Sequence, residues 1–148
     1  MHLTTITSLL LSLYLASATP MAITERTPGP DDTSPNLLAR RPCYEGGKTW
    51  GDNASDAIAK VSVWCNGGGG GGNGNYGPYA ERRGCFNARY GNNRYNFKIL
   101  NDGNQSHNLS PAVCEELLWE HIYNCRHGGW GKPVAQWEST SDVNEGRC

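Results

Sequence analysis

The chain has 148 residues, with 13 Lys plus Arg against 14 Asp plus Glu and a formal net charge of −1. That length suits one folded domain. The charge balance lacks the basic footprint that nucleic-acid backbones and anionic lipid surfaces demand, so neither partner is expected. All six Cys, all five Trp and every Gly except Gly29 lie beyond residue 42, so the two parts of the chain are different kinds of polymer.

Residues 6–16 form a short apolar run followed by Ala16-Ser17-Ala18. This is the pattern of a secretory signal peptide over 1–18, too short for a membrane span. Residues 19–41 hold Pro20, Pro28, Pro30 and Pro35 among Thr, Ser and Asp, with no aromatic residue. Such a segment cannot repay its ordering entropy and reads as a disordered tail or pro-segment. It ends on Arg40-Arg41, a dibasic processing signal, with Pro42 a poor neighbour for cleavage. The folded domain is then 42–148, and the protein is expected to be extracellular.

Behind a leader, Cys43, Cys65, Cys85, Cys114, Cys125 and Cys148 read as a disulfide framework. No Cys-x-x-Cys or His-x-x-x-His spacing supports zinc, and no metal or other cofactor is expected. Cys114 and Cys125 fall on one expected helix, about 16 Å apart along its axis, beyond the ~7 Å limit for bridging. Among the remaining pairings, Cys125–Cys148 is preferred, tying the tail to the helix end.

Taken in order, Asp52 or Asn53 can cap a helix running to Cys65, with Ala54, Ala57, Ile58, Val61, Trp64 and Cys65 on one face. Asn66 and the run Gly67–Gly72 stop it, and 66–77 is expected to be a mobile loop that tolerates shortening. Residues 79–90 carry alternating signals around Cys85. Arg94–Leu100 sets Tyr95, Phe97 and Ile99 against polar Asn96 and Lys98, the pattern of a half-buried strand. Asn101-Asp102-Gly103 predicts a turn, with a strand over 105–109 pairing back. Ser110-Pro111 opens a second helix to about residue 125. A last short strand is expected over 134–138. The fold class is α+β: two helices on a small, roughly four-stranded antiparallel sheet, stapled by disulfides.

Catalysis has no visible agent. His121 and Glu120 are neighbours on a helix and point apart, and His107 and His127 sit in loops. Glu115, Glu116 and Glu120 read as a solvated helix face, and no Gly-x-Ser-x-Gly element occurs. The glycine run lacks the Gly-Lys-Ser/Thr of a phosphate loop. What remains is a supply of aromatic rings and amides, the pairing that stacks sugar C–H faces and bonds their hydroxyls. Trp130, set among Gly128, Gly129 and Gly131, is the strongest candidate for an exposed ring, and Tyr76, Tyr79 and Asn73 flank the glycine run as candidate contacts. Asn53, Asn104 and Asn108 begin N-glycosylation sequons.

The opening Cys43-Tyr-Glu-Gly-Gly-Lys-Thr-Trp-Gly, the order of the cysteines and the closing Asp142-Val-Asn-Glu-Gly-Arg-Cys148 resemble the small secreted glycan-binding proteins of the ink-cap mushroom type. The resemblance covers about 43–148. It implies a lectin-like layered domain without catalysis, whose partners are glycans or glycoproteins. The glycine run, and Val143 where Pro is expected, depart from that pattern. A secreted effector or killer-toxin-like protein, acting on a host or competitor target, is the alternative reading of the same cysteine-rich composition. Glycan specificity and oligomeric state stay open.

Overall fold

The computed structural model describes residues 42–148; the expected leader, tail and dibasic pair lie outside them. Helix α1 spans Ala54–Cys65 and α2 spans Pro111–Asn124. Strands β2 (Glu81–Asn87), β3 (Asn93–Asn101), β6 (Trp137–Glu145) and β5 (Gly128–Val134) form one antiparallel sheet in that order. Strands β1 (Gly74–Tyr76) and β4 (His107–Leu109) form a second, two-stranded antiparallel sheet. The α+β expectation of two helices on a four-stranded sheet therefore describes the domain, with one small ribbon added.

Alternation decides the two faces of the large sheet. Tyr95, Phe97, Ile99 and Asn101 of β3 face inward with Trp137, Ser139, Ser141 and Val143 of β6. Both helices pack on that face. From α1, Val61 and Trp64 enter the core, with the Trp64 indole tilted against Phe97 at 6.0 Å between ring centroids. From α2, Leu117 and Leu118 enter, and their carbonyls accept hydrogen bonds from Ser139 Oγ (3.1 Å) and Ser141 Oγ (2.8 Å). His121 Nε2 lies 2.8 Å from Ser139 Oγ. Two serines can thus occupy core positions because the helix supplies their acceptors.

The second helix starts as expected: Ser110 Oγ accepts the Val113 N–H at 3.3 Å, with Pro111 in the first turn. The first does not. A 3-10 turn over Gly51–Asn53 leads into α1, and neither Asp52 nor Asn53 caps it through a side chain.

Three other expectations are corrected. The strand over 107–109 does not pair back on β3 but on β1. Buried Asn101 turns the chain away: its amide donates to the carbonyls of Gly77 (2.8 Å) and Gln105 (2.7 Å), and its oxygen accepts the Gly103 N–H. The expected strand over 134–138 is instead a junction. Val134 ends β5, Gln136 turns at φ +60, and Trp137 begins β6. The segment 66–77 is not a plain loop. Gly68–Gly70 form a 3-10 turn, the Gly72 N–H donates to the Trp64 carbonyl at 2.9 Å, and Tyr76 is buried. Arg82 holds the segment from beside it, donating to the carbonyls of Gly71, Asn73 and Asn75.

The cysteines pair as Cys43–Cys125, Cys65–Cys114 and Cys85–Cys148, leaving none free. Cys114 and Cys125 do take separate partners, but the preferred Cys125–Cys148 bridge is overturned. The register of β6 carries the tail past Asn93 toward β2, where the Cys148 N–H donates to Asn87 Oδ1 (2.9 Å), so Cys85 is the thiol within reach. Cys125 instead anchors the opening segment, whose Cys43 bridges to Gly129.

Candidate functional site

Among the described residues, no helix packs on the outer face of the large sheet. Pairing brings its side chains into rows across the strands. One row runs Arg83, Lys98, Thr140, Trp130; the next sets Asn96 opposite Asp142, and a third sets Arg94 opposite Asn144. Directly opposed side chains on one face stand about 4.5–5.5 Å apart at Cβ, so each row is a continuous surface.

A hollow of about 330 Å³ opens on this face, lined by Tyr44, Arg83, Asn96, Lys98, Thr140, Asp142 and Asn144. Tyr44 reaches it from outside the sheet. Its N–H donates to the Gly128 carbonyl at 3.0 Å, and its phenol hydrogen-bonds with Thr140. Burial raises the Tyr44 phenol above its ordinary value, aided by the Asp142 and Glu138 charges and opposed by a hydrogen bond with Thr140. The phenol is therefore neutral and available as a donor.

The Asp142 carboxyl is also raised, chiefly by burial. The Asn144 amide, the Val143 backbone N–H and the charge of Arg94 pull the other way. Asn144 Nδ2 bridges Asp142 Oδ2 (2.8 Å) and Asn96 Oδ1 (3.1 Å), and Arg94 Nε reaches Asn96 Oδ1 at 3.3 Å. Lys98 is held by Glu138 at 2.7 Å. These bonds lock the polar groups in place before any ligand arrives. The result is a floor of carboxylate, amides and phenol, which are hydrogen-bond donors and acceptors, with an aromatic ring at its flank.

That ring is Trp130, 42% exposed and directly opposite Thr140. The other candidates from the sequence do not join it. Tyr76 is only 1% exposed and its hydroxyl donates to the Gly72 carbonyl, so burial leaves it no stacking surface. Burial pushes its phenol up to about 12. Tyr79 is 64% exposed in the turn before β2, at φ +55, and Asn73 precedes β1. Neither lines the hollow.

Most of the hollow escaped residue-by-residue reading. Asn96 and Lys98 are visible as the polar side of an alternating strand. Thr140, Asp142 and Asn144 follow the same alternation, hidden because their inward partners include Ser139 and Ser141 rather than apolar residues.

Residues 73–148, just over half of the chain, match the family Glycan binding domain Y3. The chain belongs to this glycan-binding domain family. The Y3 match takes in Asn96, Thr140, Asp142, Asn144 and Trp130, whereas Tyr44 precedes it. No curated protein matches the chain. The Y3 assignment supports carbohydrate as the partner class. Among the described residues no helix is long and apolar enough to cross a membrane.

The sequons fare differently. Asn53 is 7% exposed and its oxygen accepts the Tyr90 N–H at 3.1 Å. Asn104 and Asn108 are exposed, Asn108 donating to Asn75 Oδ1 at 2.7 Å.

Proposed function

We propose that this is a secreted, non-catalytic lectin that holds its glycan on the outer face of the four-stranded sheet. The observation that carries the reading is the row in which exposed Trp130 flanks Thr140, beside a hollow holding the Tyr44 phenol, the Asp142 carboxylate and the Asn96 and Asn144 amides. A pyranose ring presents a C–H face for the indole and hydroxyls for the floor. Three disulfides that consume every cysteine support an oxidising, extracellular setting. Asn104 and Asn108 are the sequons open to glycosylation there.

The test is a glycan array probed with the oxidised protein, followed by titration of its best ligand. Wild type binds a defined subset of glycans. Asp142→Ala and Trp130→Ala each weaken binding tenfold or more while melting as wild type does. An array without signal, or full affinity in Asp142→Ala, defeats the assignment of the site.

A further inference from the structure

A second hollow, of about 390 Å³, lies where the start of α1 meets the connection between β2 and β3. Asp52, Ser55, Asp56, Ala59, Arg89 and Tyr90 line it, and it shares no residue with the outer-face hollow.

Its walls are fixed by bonds that join two distant parts of the chain. Asp56 Oδ2 accepts the Arg89 N–H at 2.9 Å and the Tyr95 hydroxyl at 3.0 Å. Asn53 stands at the N-cap of α1, yet its side-chain oxygen takes the Tyr90 N–H instead of a helix N–H. The main chain at 89–90 is thus held by Asn53, just before α1, and by Asp56 in its first turn. The Tyr90 ring itself is 51% exposed. The turn's bonds are made by the Tyr90 main chain, which leaves its ring at the rim of the hollow.

The chemistry around the ring narrows the ligand. The Arg89 guanidinium sits 5.4 Å from the Tyr90 centroid, occupying the position where an aromatic ring attracts a cation. A second cation would meet Arg89 there, so an ammonium ligand is disfavoured. A neutral ring is not. The Asp52 carboxylate and Ser55 hydroxyl supply acceptors, and Arg89 and the Tyr90 phenol supply donors. A carboxylate accepts two hydrogen bonds from adjacent hydroxyls, and such charge-assisted bonds are the stronger kind.

We propose that this hollow is a second carbohydrate site, taking one neutral pyranose ring stacked on Tyr90 with vicinal hydroxyls on Asp52. It rests on its own lining and does not require the outer-face assignment. Two sites on one chain would let a single copy cross-link a multivalent glycan surface.

The test is amide NMR of the oxidised, isotope-labelled protein titrated with methyl glycosides of glucose, N-acetylglucosamine, galactose and mannose. At least one sugar is expected to shift the Ser55, Arg89 and Tyr90 amides saturably. Tyr90→Ala should weaken that response at least tenfold and leave the amides of Asn96 and Asn144 as in wild type. Asp52→Asn should weaken it too, which keeps the test decisive if Tyr90→Ala perturbs the turn. No saturable shift at Ser55, Arg89 and Tyr90 with any of the four sugars overturns the proposal, as does a response indifferent to both substitutions. Response here with silence at Asn96 and Asn144 would show that this hollow binds sugar independently of the outer face, whose own test is the array and Asp142→Ala.

Discussion

Gly84→Ala tests how closely α1 is seated on the sheet. Gly84 lies mid-strand in β2, paired with Phe97, and a methyl there would stand 2.8 Å from Trp64 Cε2 and 2.9 Å from its Nε1. The indole cannot easily yield, because it is fully buried and a methyl on Gly72 would likewise fall 2.7 Å from its Cε3. Overpacking a core of this kind costs about 1–3 kcal/mol, and a clash on an immobile indole belongs at the upper end, about 3 kcal/mol. For a domain of this size that is a fall in melting temperature on the order of 10–20 °C. Gly70→Ala is the control, since its methyl meets nothing within 4 Å and suffers only from φ +91. That left-handed position costs about 1–2 kcal/mol. Trp64→Phe supplies the relief, because it removes the atoms that Gly84→Ala strikes. It also deletes an indole N–H with no hydrogen-bond partner among the described residues. In a double-mutant cycle the pair should be less destabilised than the sum of the single changes by 1 kcal/mol or more, as contacting residues are in general. The assay is denaturant unfolding of the oxidised protein with disulfides intact. Gly84→Ala within ~0.5 kcal/mol of wild type, below the usual overpacking range, would refute the packing argument.

The remaining expectations concern the latch, the staple and the carboxyl. Arg82→Ala removes the donors to Gly71, Asn73 and Asn75 and should speed hydrogen exchange of the 71–76 amides at least tenfold; unchanged exchange would show that Arg82 holds nothing. Replacing Cys43 and Cys125 together by Ser opens a link between residues 82 apart in sequence. On the chain-entropy account such a link contributes ~4.5 kcal/mol, so secretion yield and melting temperature should both drop sharply, and an unaltered melt would contradict this. Asp142 has a folded-state pKa above its unfolded one, because burial disfavours the charge. Its contribution to stability is therefore fully present below the unfolded pKa and is lost as pH rises through the folded one. Glycan affinity should run the other way, falling as acid protonates the acceptor, with a midpoint above the ordinary aspartate value of 3.8. Asp142→Asn should flatten that acid limb of the binding curve, and an unchanged limb would assign the titration to another group.

How much was legible varies with how local the cause is. Capping by Ser110 and Pro111, the apolar stripe of α1 and the alternation of Tyr95, Phe97 and Ile99 are written in neighbouring residues, so two helices and the central strand could be read directly. The full extent of β6 could not, because Ser139 and Ser141 look solvent-facing until α2 brings the Leu117 and Leu118 carbonyls to them. The glycine run looked free for the same reason. Only the tertiary structure sets Gly72 against Trp64 and Arg82 beside the carbonyls.

By itself the sequence determined the class of the molecule: a disulfide-stapled α+β domain with more aromatic rings and amides than a small core needs. Which rings are offered outward, and which amides and carboxylates meet, was decided by strand register. Register joins Trp130 to Thr140 and Asn96 to Asp142 across gaps of ten and 46 positions. A one-residue slip would turn each of those side chains to the opposite face, and no local propensity prevents that slip. The packing of α1 and α2 on the inner face does, because only this register buries Tyr95, Phe97 and Ile99 beneath them.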